Sequence, residues 1–173
     1  MTAVLVTYAS KHHATEEIAI TIGRQLKEHG LKVEIRTADF VNTLEPFDAV
    51  VLGSAVYAGR WMKEAQTFLK ENIDELTQRP VWVFSSGPTG EGDPVELVKG
   101  ALYPVALEPV IAQIKPRDIT VFHGKLDTNE LGFGERLIVN MVKAPTGDFR
   151  DWDAIRAWAD GIAAALTGEQ IAE

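Results

Sequence analysis

The chain has no cysteine. That absence removes disulfides, thiolate metal sites, iron–sulfur clusters and cysteine nucleophiles together. No apolar run is long enough to cross a bilayer, and no basic segment precedes an apolar one at the N-terminus. The expectation is a cytoplasmic protein with no transmembrane segment and no metal. No glycine lies between Val4 and Ile22, so a G-x-G-x-x-G dinucleotide loop is ruled out there. The G-K-[ST] run of a P-loop and the G-x-S-x-G elbow of a serine hydrolase are missing too. Basic residues are outnumbered, 17 against 25 acidic, for a net charge of −8. Nucleic acid is therefore not an expected partner. An acidic surface keeps a protein soluble, and it can also steer a basic partner protein.

What is present is a regular alternation. With 173 residues and 46% hydrophobic content, the chain is expected to fold as one domain, residues 1–173. Val4-Leu5-Val6 is apolar without alternation, as in a parallel strand covered on both faces. A helix follows over residues 14–29, with Ile18, Ala19, Ile22 and Leu26 as its buried stripe and Gly30 as its stop. Leu31, Val33 and Ile35 alternate with charged residues, which predicts a second strand near a sheet edge. Ala49-Val50-Val51-Leu52 reads as a central third strand ending in a loop that begins at Gly53. A helix carries Ala65, Phe68, Leu69 and Ile73; Val81-Trp82-Val83-Phe84 is the fourth strand, Ile119-Thr120-Val121-Phe122 the fifth. Residues 95–116 read as helical pieces broken by Gly100 and Pro104. A last helix starts near Asp151 and ends at Gly168. The pattern predicts an α/β fold: a doubly wound, five-stranded parallel sheet of order 2-1-3-4-5.

A minimal unit of this kind needs only a short loop after strand five. Here about residues 124–150 intervene, with Leu137, Ile138, Met141 and Val142 at helical spacing. This helical insertion is read either as a packed elaboration or as a lip facing a partner, a substrate or a membrane.

With that strand order, ligands sit above the carboxyl ends of strands one and three. The loops after strands one, three and four meet there. The first, Ser10-Lys11-His12-His13-Ala14-Thr15, runs into a helix start, where unpaired N–H groups and the helix dipole suit a phosphate. It reads equally as an ordinary turn capped by Ser10. The second, Ala55-Val56-Tyr57-Ala58-Gly59-Arg60-Trp61, offers Tyr57 and Trp61 for stacking on a flat ring. The third, Ser86-Gly87-Pro88-Thr89-Gly90, is rich in turn residues. A receiver domain would need acidic residues after strand one and an aspartate ending strand three. Ala9-Ser10 and Gly53-Ser54 stand there instead. One phosphate and one planar aromatic ring fit best.

These loops resemble a flavodoxin-like FMN-binding domain. Ser10, Thr15 and Glu16 match the family's [ST]-x-T-G-x-T-E phosphate loop, while His12 and His13 replace its middle threonine and its glycine. A left-handed backbone at that glycine position costs another residue roughly 1–2 kcal/mol, and histidine tolerates it better than most. The chain is more closely similar to the branch that includes menaquinone-dependent protoporphyrinogen dehydrogenase. That likeness rests on residues 53–59, 135–143 and 146–152. It implies FMN as cofactor, a redox partner protein or quinone, and an insertion that contacts substrate or quinone. Peripheral membrane contact through the insertion stays open. The alternatives are a flavodoxin-type carrier docking on redox proteins, or a site for another flavin such as a deazaflavin. No side chain stands out as a catalytic base.

Overall fold

The structure is a computed structural model, and it describes residues 1–168. Five parallel strands form the main sheet: β1 Ala3–Ala9, β2 Lys32–Thr37, β3 Ala49–Tyr57, β4 Val81–Ser86 and β5 Asp118–Phe122. Their order is β2-β1-β3-β4-β5, as the sequence predicts. Val6 pairs with Ile35 on one side and Val51 on the other.

Alternation along each strand divides the core in two. Val4, Val6 and Tyr8 of β1 pack on the same layer as Val51 of β3 and Phe84 of β4. That layer is closed by α1 (Ala14–Glu28) and α7 (Trp152–Thr167), through Ile18, Ile22, Ile155 and Ile162. Leu5, Val50, Leu52 and Val83 point the other way. They meet α2 (Lys63–Glu71), α3 (Ile73–Leu76) and α5 (Glu108–Ile114). A short helix α4, Pro94–Leu97, is capped by Asp93, whose carboxylate accepts from the Val95 and Glu96 N–H groups. Among the described residues no helix is long and apolar enough to cross a membrane.

Two strands run further than expected. Residues 53–57 belong to β3 rather than to a loop, and β4 continues through Ser86. Gly53 is not a turn residue. A Cβ there would lie 2.0 Å from Cζ of Phe84, so the glycine exists to admit that ring. Phe84 in turn packs against Phe122 and Trp158, with centroids 5.7 and 6.0 Å away. Beyond Tyr57 the chain reverses at Ala58 and Gly59, both at positive φ (48° and 73°). Arg60–Trp61 then pairs antiparallel with Val56–Tyr57. This is the two-residue hairpin that left-handed backbone at both central positions favours.

The insertion is anchored by a small ladder, Lys125–Leu126 against Gly147–Asp148. Its helix α6, Phe133–Val142, is not a packed elaboration. Phe133, Leu137, Ile138, Met141 and Val142 are all exposed, while Leu131 just before the helix is buried. Glu135 reaches back from the helix to the first loop, and at the surface Arg136 Nε donates to Thr128 O at 2.7 Å.

Candidate functional site

The first loop leaves β1 at Ala9 and enters α1 at Ala14. His13, the residue before the helix, sits at φ 65°, ψ −3°, the left-handed region. No side chain caps α1, so of the two readings of this loop the Ser10-capped turn is not the one the structure shows. The first α1 amide with a helical acceptor is Glu17, whose N–H donates to His13 O at 3.1 Å. The amides before it are the donors a helix start leaves for an anion.

Thr15 is buried, and its Oγ1 lies 2.8 Å from Oγ of Ser86 at the end of β4. This bond joins the first and third loops across the top of the sheet. Between them opens a cleft of about 170 Å³ that is open to solvent on one side. Ser10, Lys11, His12, Ala14, Thr15, Ala55, Val56, Tyr57, Ser86, Gly87 and Thr89 line it. Three loops distant in sequence thus come together.

Tyr57 stands at the rim. Lys11 Nζ is 5.4 Å from its ring centre, and the His12 ring meets it edge-on at 6.2 Å. Burial, then the Glu135 and Glu130 charges, push its phenol up to about 12. It stays a neutral donor at any physiological pH. Glu135 bridges Lys11 Nζ (3.0 Å) and His12 Nε2 (2.8 Å). The His12 bond, and after it the Lys11 bond, hold its carboxyl below the usual range, so the helix presents an anion beside the first loop.

Other proposed residues lie elsewhere. Trp61 is 3% exposed, and its Nε1 donates to Ser85 Oγ at 2.8 Å. It packs into the core layer of α2 and cannot stack on a ring in the cleft. His13 points to Glu16 at 3.0 Å, on the surface. Ala58 is at the hairpin turn. Gly59 and Pro88 line a second cavity on the far side of Val56 and Gly87. Gly90, at φ 105°, has Pro145 where its Cβ would project.

The sequence reading missed the wall that the insertion supplies: Gly124, Lys125, Leu126 and Ala144. The signal was available, because Gly124 follows β5 at the same sheet end as the other loops. Arg150 was missed as well. Its side chain is 4% exposed. It donates to Asp148 (2.7 Å), Glu17 (2.9 Å) and Ala14 O (3.3 Å), pinning the insertion's return to the start of α1. It also lies 4.6 Å over the Trp152 ring.

A model of the flavodoxin domain matches residues 5–153. The chain belongs to the flavodoxin domain family. No curated protein matches it. Its structure is similar to that of a flavodoxin from the domain Archaea, with TM-score 0.64, 14% identity, and 95% of this chain on 99% of that one. Flavodoxin 2 from Bacillus cereus gives TM-score 0.60 at 20% identity, 95% of this chain on 99% of that one. Rubredoxin oxygen:oxidoreductase from Desulfovibrio gigas gives TM-score 0.66 at 14% identity, where 97% of this chain covers 37% of a longer protein. At these identities the likeness is one of fold.

A flavodoxin domain takes FMN, and the residues here fit it. The open first-turn amides of α1, the Ser10 and Thr15 hydroxyls and the Lys11 and His12 side chains suit a phosphate. Gly87 and Gly124 give a flat backbone wall for a ring. A Cβ on Gly124 would come within 3.0 Å of Gly87 Cα and O. The charge of Glu135, and those of Glu16 and Glu17 in the first turn of α1, oppose the phosphate. When bound, FMN supplies the one- and two-electron chemistry; this chain's part is to bind it, orient it and set its surroundings.

Proposed function

We propose that this flavodoxin domain is an FMN-dependent oxidoreductase of the menaquinone-dependent protoporphyrinogen dehydrogenase type. It works in the cytoplasm or at a membrane surface, on a small-molecule substrate, with a quinone or redox protein as electron partner. The observation that carries this reading is the insertion: α6 stands at the cleft mouth, joined to the first loop through Glu135, with its apolar side outward. An electron carrier needs no such lip. Ser10, His12, Ala14 and Thr15 hold the phosphate; Tyr57, Gly87 and Thr89 border the ring. Neither a base nor a nucleophile is assigned.

A second reading, a flavodoxin-type carrier, is favoured by the net charge of −8, which suits docking on a basic partner. A different flavin is favoured by His12 and His13 in the phosphate loop.

The test is an absorption spectrum of the purified protein, mass identification of any released flavin, and turnover of protoporphyrinogen IX with a menaquinone acceptor. Steady turnover supports the dehydrogenase. FMN with one-electron cycling and no turnover supports the carrier. A protein that is colourless and takes up no FMN refutes both.

A further inference from the structure

A second cavity of about 220 Å³ backs onto the cofactor cleft. Val56 and Gly87 line both spaces, so one residue's thickness divides them. On its Gly87 side the division is bare backbone. Gly124 stacks on Gly87, and a Cβ on Gly87 would already touch Val56 O at 3.4 Å. Hydrogen bonds stiffen it: Gly124 N–H donates to Pro88 O at 2.9 Å, and Gly87 N–H to Phe122 O at 3.3 Å.

The chemistry of the second cavity is narrow. Among the described residues no charged side chain lines it. Ser85 and Tyr103 are its two side-chain hydroxyls. Ser85 Oγ accepts from Trp61 Nε1 (2.8 Å) and donates its one proton to Leu102 O (3.0 Å), so it has no donor left for an anion. Tyr103 donates its proton to Glu108 at 2.5 Å, which leaves its oxygen as an acceptor. Pro88, Pro104 and the Tyr103 ring give flat apolar faces. A carboxylate or phosphate buried here would find no partner.

We infer that this cavity is a binding site for a neutral one- or two-ring aromatic molecule carrying at most one hydrogen-bond donor group, held beside the cofactor cleft. It deepens the proposed function, resting on that reading for the identity of the neighbouring cleft: it is where a neutral quinone acceptor sits, while a carboxylate-bearing porphyrinogen is left to the open cleft. It also sorts candidate partners by charge, because a ring with ionised carboxylates is rejected.

The probe is 2-naphthol, neutral at pH 7, against its anionic counterpart 2-naphthoate. Both are titrated calorimetrically into the FMN-free and the FMN-saturated protein. The expected result is 2-naphthol binding at least tenfold tighter than 2-naphthoate, undiminished by FMN. Val98→Phe, which fills the cavity, weakens 2-naphthol at least tenfold. If that variant does not fold, Ala101→Phe on the same wall carries the test. Equal affinity for the two probes overturns the site, and so does equal affinity in wild type and the filled variant. Loss of 2-naphthol binding on FMN saturation also overturns it, since the cavity would then be part of the cofactor's own seat. Failure of FMN to bind defeats the functional reading instead and leaves the probe result standing.

Discussion

Thr15 and Ser86, 71 positions apart, share a 2.8 Å hydrogen bond between buried hydroxyls. It holds the first loop against the end of β4. Thr15→Ala would leave Ser86 Oγ without this partner, at a cost of about 1–3 kcal/mol. It should also weaken FMN binding. Thr120→Ala, on β5 away from the cleft, should change stability by no more than about 0.5 kcal/mol and leave FMN affinity alone. Urea midpoints and FMN fluorescence titrations on both variants decide it. Equal loss of FMN affinity would mean that Thr15 does not serve the phosphate.

Glu135 puts a carboxylate on Lys11 and His12 of the first loop. Glu135→Gln keeps a hydrogen-bonding oxygen but removes the charge. A like charge near the surface is worth on the order of 1 kcal/mol, so FMN should bind about fivefold tighter. Riboflavin, which lacks the phosphate, should bind unchanged. The comparison of the two ligands is the readout, and parallel tightening of both would contradict it.

His13 carries a left-handed backbone that glycine adopts freely. His13→Gly should raise the thermal midpoint by roughly 2 °C, since relieved strain outweighs the entropy that glycine adds to the unfolded chain. It should also bring FMN affinity up. A lower midpoint, measured by circular dichroism, would show that the His13–Glu16 contact outweighs the strain.

The Arg150 guanidinium holds the Asp148 carboxyl below its ordinary value. The folded chain therefore takes up this proton less readily than the unfolded one. The stabilisation is complete above about pH 4 and is lost as pH falls through and below that value. Asp148 is 43% exposed, so its worth is on the order of 1 kcal/mol or less. Asp148→Asn should be less stable than wild type at pH 6, and the gap should close progressively as pH falls below about 4. A gap in urea midpoint that persists unchanged to acid would refute this.

The sheet was legible because its evidence is local. Uninterrupted apolar runs such as Val4-Leu5-Val6 and the alternation around Val33 give strand type, and helices between strands give parallel order. What was misread depends on contacts far away in sequence. Gly53 looks like a turn residue until Phe84 is seen filling its side-chain space. Trp61 looks available until Ser85 is found holding its indole. The periodicity of α6 was plain, but not its facing, because that depends on Glu135 meeting residues 11 and 12. That the loops after strands one, three and four line one cleft was readable from the strand order. The contribution of Gly124, Lys125 and Leu126 was not, since it comes from how the insertion folds back.

Ser85 and Ser86 are consecutive, yet they face opposite sides of the sheet, one toward Trp61 and Leu102, the other toward Thr15. A strand alternates with period two, so losing or gaining one residue in β4 would exchange these two hydroxyls. Each would then arrive where the other's partners wait, and both chambers would be spoiled by a single deletion. Substitutions elsewhere along β4 can be absorbed one by one; a change in its length cannot.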